Sequence, residues 1–301
     1  DRDDDMMITG KRHDLRIKYR AGIDDTGRVL GIEFTHLFRC GWSQDLSLPV
    51  ADRAMLSADN CYFLPDIRIE SHRLKTNTQS ATAYRGFGGP QGIIGIERVM
   101  DHAAFATGRD PLAVRRANFY RAADATGPGH GHRYGGPHSP KPEEWAVQTT
   151  PYHMPVEDFI GHELVAELEK TSNYQARKAG IAAWNSTNPI LKRGIALTPV
   201  KFGISFTLTW LNQAGALVHV YQDGSIHLNH GGTEMGQGLN LKVAQVAASV
   251  FGVDVGRIKI TASDTAKVPN TSATAASSGS DLNGMAAQNA CEIIRGRMAE
   301  Y

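Results

Sequence analysis

The stretch that decides the fold is AYRGFGGPQG, at residues 83–92. Its four glycines permit positive φ angles and a close approach of other groups to the backbone. Pro90 suits the first turn of a helix, where its missing N–H would have no partner. The apolar run that follows predicts a helix from about Pro90 to Thr107, ended by Gly108. A loop that leads into a helix start can bind an anion through free N–H groups, although a plain tight turn explains the same letters.

A second stretch, GGTEMGQGL at residues 231–239, repeats this pattern between a predicted hairpin at 216–230 and a predicted helix. Because the pattern occurs twice, an anionic ligand shared between two domains explains it better than two turns that bind nothing. A third stretch, NTSATAASSGSDLNG at residues 270–284, offers small side chains and many donors ahead of the last helix. Its alternative interpretation is a capped helix start, with Ser280 or Asp281 as the cap.

Hydrophobic alternation predicts the fold class. A long hairpin is predicted at residues 15–38, with its turn at Asp25-Thr26-Gly27, and the second hairpin turns at Asp223-Gly224. Each hairpin belongs to a region that also contains helices, so the predicted class is α+β rather than a series of βαβ repeats.

The glycine-, proline- and histidine-rich residues 126–145 predict an exposed loop or linker between two domains, at 1–125 and 146–301. Three histidines fall in this loop, namely His130, His132 and His138. On such backbone they are expected to be solvated rather than to bind a metal.

Composition sets limits on the classes of partner. With 301 residues, 41% of them hydrophobic, the chain is large enough for two globular domains. Its 32 basic and 31 acidic residues provide no long-range electrostatic field that would attract nucleic acid or a membrane surface.

The three cysteines, Cys40, Cys61 and Cys291, are odd in number and widely spaced, which indicates small buried side chains in a reduced compartment. With no signal peptide or membrane-length apolar run, the expected location is cytoplasmic, and the chain is expected to be a segment of a longer polypeptide.

These three stretches, in this order, resemble the molybdopterin-binding portion of the xanthine dehydrogenase and aldehyde oxidase family. KFGISFTLTWLNQAGALVHVYQDGS at residues 201–225, DRDDDM and DNCY resemble further segments of that family. The resemblance implies two mixed α/β molybdopterin-binding domains with the cofactor between them. It also implies that the molybdenum is held by the pterin dithiolene, which agrees with a chain that shows no cluster of His or Cys ligands.

The resemblance implies hydroxylation of hypoxanthine and xanthine to urate, with electrons passed through 2Fe-2S clusters and FAD to NAD. The implied partners are a purine substrate, an Fe–S/FAD subunit or domain, the remainder of the molybdenum subunit, and a second protomer in a dimer. The resemblance places the family's base glutamate beyond Tyr301 and its substrate glutamate before Asp1, so both are expected outside this sequence. Glu234 is no substitute, because it stands in the pterin loop. Two alternatives stay open: an aldehyde or other N-heterocycle hydroxylase of the same family, and a non-catalytic structural fragment.

Several residues of this chain match cofactor positions of the family. Arg85 matches an arginine beside the molybdenum, and Ala276 matches a residue whose backbone N–H approaches an oxygen ligand of the metal. The remaining cofactor-binding residues implied by the resemblance are Gly232, Met235, Gly236, Gln237, Ala275 and Ser277.

Four residues match substrate positions. Phe87 and Phe206 match two rings that hold a flat heterocycle, and Thr207 supplies a hydroxyl beside it. Arg53 matches the arginine that binds a purine oxygen and stabilises negative charge in the transition state, which gives it a catalytic role and favours a purine substrate. From the residues alone, Phe206 is a core strand residue and Arg53 a solvated charge on a helix surface.

Overall fold

The computed structural model describes residues 1–121, 148–204, 206–261, 264 and 271–300. Contacts between Cα atoms divide the chain into two compact units, which we call unit 1 (Asp1–Phe202) and unit 2 (Gly203–Tyr301). Each unit combines helices with one three-stranded sheet, which confirms the predicted α+β class. The predicted loop at 126–145, with His130, His132 and His138, lies outside the described residues.

The sheet of unit 1 is built on the predicted hairpin. Strand β1 (Asp14–Ile23) pairs antiparallel with β2 (Val29–Gly41), and β3 (Ile67–Lys75) pairs parallel to β2 on its other side. In the turn, Gly27 has a φ of +83°, and Asp24 Oδ1 accepts from the Thr26 backbone N–H at 2.8 Å. The sequence-predicted turn is therefore confirmed.

The helices of unit 1 lie before, between and after these strands. Their bounds are Arg2–Ile8 (α1), Ser47–Met55 (α2), Gly89–Thr107 (α3), Pro111–Asn118 (α4), Gly161–Thr171 (α5) and Tyr174–Thr187 (α6). Helix α3 confirms the prediction to within one residue, and it ends at Gly108, whose φ is +64°. The core of unit 1 lies between the sheet and α3, and its largest buried members include Phe34, Tyr62, Ile96, Met100 and Phe119.

Unit 2 repeats the strand order of unit 1 on a smaller scale. Strands β4 (Ala216–Val220) and β5 (Ile226–His230) form the second predicted hairpin, and β6 (Ile258–Ile260) pairs parallel to β5. Helix α7 (Leu239–Phe251) connects β5 to β6, just as α2 connects β2 to β3 in unit 1. Each sheet therefore contains one parallel crossover, which the hairpin pattern alone did not predict.

The last helix of unit 2, α8 (Gly279–Ala299), begins earlier than predicted. Its N-cap is Ser278 and not Ser280 or Asp281, and the Ser278 hydroxyl donates to the Ala275 carbonyl oxygen at 2.9 Å. The core of this unit is formed by Val218, Ile226, Leu228, Leu239, Val243, Ala247, Ala287 and Cys291.

The three cysteines agree with the sequence prediction. Cys40, Cys61 and Cys291 are all buried and free, as predicted. Among the residues that the structure describes, no helix combines the length and apolar character needed to cross a membrane.

Candidate functional site

The glycine-rich loop of unit 1 lies against helix α2. Gly86, Phe87 and Gly88 have φ angles of +97°, +53° and +96°, so three consecutive residues are left-handed. A methyl group on Gly88 would come within 2.0 Å of the Val50 carbonyl oxygen, and one on Gly92 within 2.1 Å of the Ala54 carbonyl oxygen. These glycines are required because the backbones of α2 and of the α3 start touch each other.

The two predicted site residues in this loop differ in exposure. Arg85 is exposed, whereas Phe87 is buried. The Arg85 carbonyl oxygen accepts from Arg12 Nη2 at 2.6 Å, and the Arg12 guanidinium lies over the Tyr84 ring, 4.5 Å from its centroid. Arg12 therefore fixes the backbone at Arg85, a role that no pattern near Arg12 indicates in the sequence.

Arg53, on helix α2, is buried with only 6% of its surface exposed. The interpretation of its local sequence as a solvated surface charge is therefore wrong. The guanidinium carbon of Arg53 lies over the Phe202 ring, 4.7 Å from its centroid, which is within the range of a cation–π interaction. Burial lowers the pKa of Arg53, and Tyr152 acts in the opposite direction. Arginine nevertheless stays charged in proteins, so α2 carries a buried cation beside the glycine-rich loop.

In unit 2, the loop at 231–239 is organised by its own glutamate. Glu234 Oε1 accepts from the backbone N–H groups of Gly236 at 2.9 Å and Gly238 at 3.0 Å, and its Oε2 accepts from that of Asn240 at 3.0 Å. Bonds from these backbone groups lower the pKa of Glu234. The N–H groups at the α7 start, which were expected to meet an anionic ligand, are thus bonded to a carboxylate of the chain itself.

Gln237 stabilises the same loop from within. Its Oε1 accepts from the Met235 backbone N–H at 2.5 Å, and its Nε2 donates to the Thr233 carbonyl oxygen at 2.8 Å. The Met235 side chain is exposed, whereas Gly232 is buried and has no room for a Cβ because Leu239 and Asn283 lie against it. The loop therefore presents Met235 and Gly236 to solvent on a frame held by Glu234 and Gln237.

Hydrogen bonds join the predicted site segments of unit 2. The Thr233 backbone N–H donates to Thr274 Oγ1 at 2.8 Å, which links the loop at 231–239 to residues 271–278. The Ser272 backbone N–H donates to the Gln213 carbonyl oxygen at 3.0 Å, which links those residues to the segment that begins at Phe206. Three stretches that are distant in sequence are therefore neighbours in this unit.

Phe206 and Thr207 belong to the third of these segments. Phe206 is buried but lies outside the strands, which corrects its interpretation as a core strand residue. Its carbonyl oxygen accepts from Asn212 Nδ2 at 3.3 Å. Thr207 is half-buried in the same segment.

Left-handed backbone marks the predicted site more sharply than any other feature. Among the described residues, seven that are not glycine have positive φ: Asp45, Asn60, Phe87, His153, Asn173, Ala276 and Ser277. Asn, Asp and His adopt this conformation several times more often than other residues do. The remaining three, Phe87, Ala276 and Ser277, are all predicted site residues, and each costs on the order of 1–2 kcal/mol. Such strain is concentrated at active sites and ligand sites.

The polar groups at these loops are backbone N–H groups, hydroxyls, amides and arginines. In the part of the chain that the structure describes, no group of three or more His, Cys, Asp or Glu residues could hold a metal ion. Small exposed or half-buried residues such as Ala276 and Ser277 permit the close approach of a bulky group.

Comparisons with known proteins agree on one family. A model described as "Molybdopterin cofactor-binding domain" matches residues 1–119, and a second model of the same description matches residues 167–301. The chain is 43% identical to a xanthine dehydrogenase of Drosophila subobscura over 299 residues, which are 99% of this chain and 20% of that protein. It is also 43% identical to a xanthine dehydrogenase/oxidase of Mus musculus over 301 residues, which are 100% of this chain and 21% of that protein.

The fold is similar to solved structures. The quinoline 2-oxidoreductase from Pseudomonas putida 86 matches 99% of this chain and 36% of its own chain, with a TM-score of 0.73 and 21% sequence identity. The chain spans about 20% of the length of the curated relatives it matches. The limits of the two predicted domains, 1–125 and 146–301, stay a prediction.

Proposed function

Because the chain belongs to the molybdopterin cofactor-binding family, we propose that it is part of a molybdenum hydroxylase that converts hypoxanthine and xanthine to urate. The structural observation that supports a bound ligand at these loops is the left-handed backbone of Phe87, Ala276 and Ser277. Strain in residues that seldom adopt this conformation is retained where a ligand requires it.

In unit 2, the proposed cofactor contacts are Gly232, Met235, Gly236, Gln237, Ala275, Ala276 and Ser277. Met235 and Gly236 are exposed on a loop that the chain itself holds in shape, so their approach to a ligand costs little reordering. In unit 1, exposed Arg85 is the proposed neighbour of the metal, on backbone fixed by Arg12. When bound, the cofactor would supply the two-electron oxidation by which a substrate carbon gains a hydroxyl oxygen taken from water.

We assign substrate recognition to Arg53, Phe87, Phe206 and Thr207. Arg53 is a buried cation, and a buried cation interacts more strongly than a solvated one with negative charge that develops on a purine in the transition state. This burial favours a purine over an aldehyde, which has no purine carbonyl oxygen for the guanidinium to bind. The aldehyde or N-heterocycle hydroxylase is the alternative within the family, and the non-catalytic fragment is the alternative outside it.

The proposed hydroxylation releases two electrons and two protons for each oxygen added. NAD is the proposed acceptor, reached through 2Fe-2S clusters and FAD in another subunit or domain. A dimer of protomers and the remainder of the molybdenum subunit, which would supply the general base, complete the proposed assembly. The cytoplasm is its proposed location because the three cysteines are free.

Metal and pterin analysis of the purified protein, combined with turnover of xanthine, tests this function. We expect about one molybdenum and one pterin for each active site, and urate as the product. Active protein without molybdenum would contradict the proposal, and so would protein with full molybdenum content that oxidises aldehydes but no purine.

A further inference from the structure

The Arg53 guanidinium contacts an aromatic ring from a segment far along the chain. The Phe202 ring covers one face of the guanidinium at 4.7 Å, although Phe202 is itself 46% exposed. One edge of the same ring lies close to the start of α3, where a methyl group on Gly89 would come within 2.6 Å of Phe202 Cε2. Phe202 therefore lies close to both the α3 start and Arg53.

Two adjacent residues after α2 hold the segment that carries Phe202. Asn60 Nδ2 donates to the Pro199 carbonyl oxygen at 2.9 Å, and Asn60 Oδ1 accepts from the Lys201 backbone N–H at 2.9 Å. Lys201 Nζ forms an ion pair with Asp59. Asp59 and Asn60 are almost completely buried, and their contacts lie on the residues just before Phe202.

This attachment is itself held by a buried polar network. Asn60 Nδ2 also donates to Glu97 Oε1 at 2.8 Å, and Glu97 Oε2 accepts from Arg115 Nε at 2.8 Å. The Tyr120 hydroxyl donates to Asp59 Oδ2 at 2.8 Å. Since networks in which the buried groups are bonded to one another are rigid, Phe202 is presented on a support with little freedom.

We infer that Phe202 is a positioning residue that orients the Arg53 guanidinium and so sets the preference of the site for purines, which rests on the function proposed above. An arginine side chain has several rotatable bonds, and its planar N–H groups donate usefully only when the plane is fixed. A flat ring packed on one face removes the rotamers that point the N–H groups elsewhere. Without the ring, the guanidinium keeps its charge but samples more orientations. Its N–H groups then bind the purine oxygen less well in the transition state.

The test compares variants of the holoenzyme at equal molybdenum content. Phe202→Met and Phe202→Leu remove the ring but keep an apolar side chain against Gly89, while Phe202→Tyr keeps the ring. We expect either non-aromatic variant to lower kcat/KM for xanthine on the order of tenfold, as estimated from the strength of a partly buried cation–π contact. We expect kcat/KM for an aromatic aldehyde to fall much less and Phe202→Tyr to retain xanthine turnover.

Two further measurements separate positioning from a general packing defect. The dissociation constant of urate, which has the purine oxygens and undergoes no turnover, should rise in Phe202→Met. In an Arg53→Met background, Phe202→Met should have no further effect on xanthine turnover, since its partner is already absent.

Equal losses on both substrates in both non-aromatic variants, or the same additional loss without Arg53, would overturn the role of Phe202. If the wild-type protein itself showed no preference for xanthine over the aldehyde, the proposed function would be wrong, and the role of Phe202 would be wrong with it. A purine preference in wild-type protein that survives in both non-aromatic variants would overturn the role of Phe202 alone.

Discussion

The two glycine-rich loops share a pattern in sequence, but different contacts hold them in shape. At 83–92 in unit 1, Gly88 and Gly92 have no space for a side chain because the α2 backbone touches them. At 231–239 in unit 2, Gly236 and Gly238 have nothing within 4 Å of where a Cβ would be, and their φ angles of +91° and +77° are what favour glycine. A glycine-rich turn before a helix therefore has two separate physical causes. The loop of unit 1 is held by packing, and the loop of unit 2 by a carboxylate and an amide.

The largest expected effect is that of a methyl group on the packed loop. Gly92→Ala places a Cβ 2.1 Å from the Ala54 carbonyl oxygen, so α2 and α3 must move apart. We expect the free energy of unfolding to fall by about 3 kcal/mol or more. The control is Gly180→Ala in α6, where nothing lies within 4 Å of the new methyl group and better helix propensity should add about 0.5–1 kcal/mol. Denaturant titration measures the free energy of unfolding of both variants. Similar small changes in the two would show that α2 and α3 can move apart at little cost.

Low pH should destabilise unit 1 by protonating a buried histidine. His36 is fully buried on β2 between the Phe34 and Phe38 rings, and burial lowers its pKa to about 4. The unfolded chain binds this proton near pH 6.5 and the folded chain does not, so stability falls as the pH decreases from about 6.5 to about 4. The loss across this window is about 3 kcal/mol. Unfolding titrations at several pH values should show this slope in wild type and a smaller one in His36→Phe, and identical slopes would refute it.

Low pH should destabilise the loop of unit 2 by protonating Glu234. The hydrogen bonds that Glu234 accepts lower its pKa, so they stabilise the α7 start above the unfolded value of 4.5 and are lost as the pH falls through the folded value. Glu234→Gln should reproduce this loss at neutral pH, with faster hydrogen exchange at residues 236–240. Residues 86–92 in the packed loop are the internal reference and should keep their protection. Faster exchange in both loops, or in neither, would remove the distinction between them.

The smallest expected effect on stability is that of Gln237→Ala. Gln237 lies on an exposed loop, so its loss should hardly change the thermal stability of the apo form, whereas the loop should hold the pterin less well. Pterin retained after gel filtration measures this, with Gln222→Ala on the exposed turn of the β4–β5 hairpin as control. Equal loss of thermal stability in the apo and holo forms would show that Gln237 supports the fold rather than the cofactor.

Local pattern predicted the elements that depend on neighbours in sequence. Both hairpins and α3 followed from alternation, turn residues and Pro90, because these signals act within a few residues. The burial of Arg53 could not be predicted in this way, since burial follows from tertiary packing, and one of its contacts, Phe202, comes from a distant segment. The capping of α7 by Glu234 was missed because a glutamate in a polar loop has no distinctive spacing.

Similarity to a family and geometry contributed different parts of the candidate site. The resemblance assigned Phe87, Ala276 and Ser277 from letters alone, and the backbone then proved to be left-handed at those three residues. Sequence could not anticipate this strain because Phe, Ala and Ser give no preference for positive φ.

Replacement of Arg53 by methionine tests the central claim most directly. If the buried guanidinium meets charge that develops only in the transition state, Arg53→Met should lower kcat and kcat/KM for xanthine together, by about 3 kcal/mol. Turnover of a small aromatic aldehyde at equal molybdenum content should be kept or improved, so the ratio of the two activities should fall by about two orders of magnitude. Unchanged xanthine turnover, or an equal loss on both substrates, would contradict the assignment of Arg53 to purine recognition.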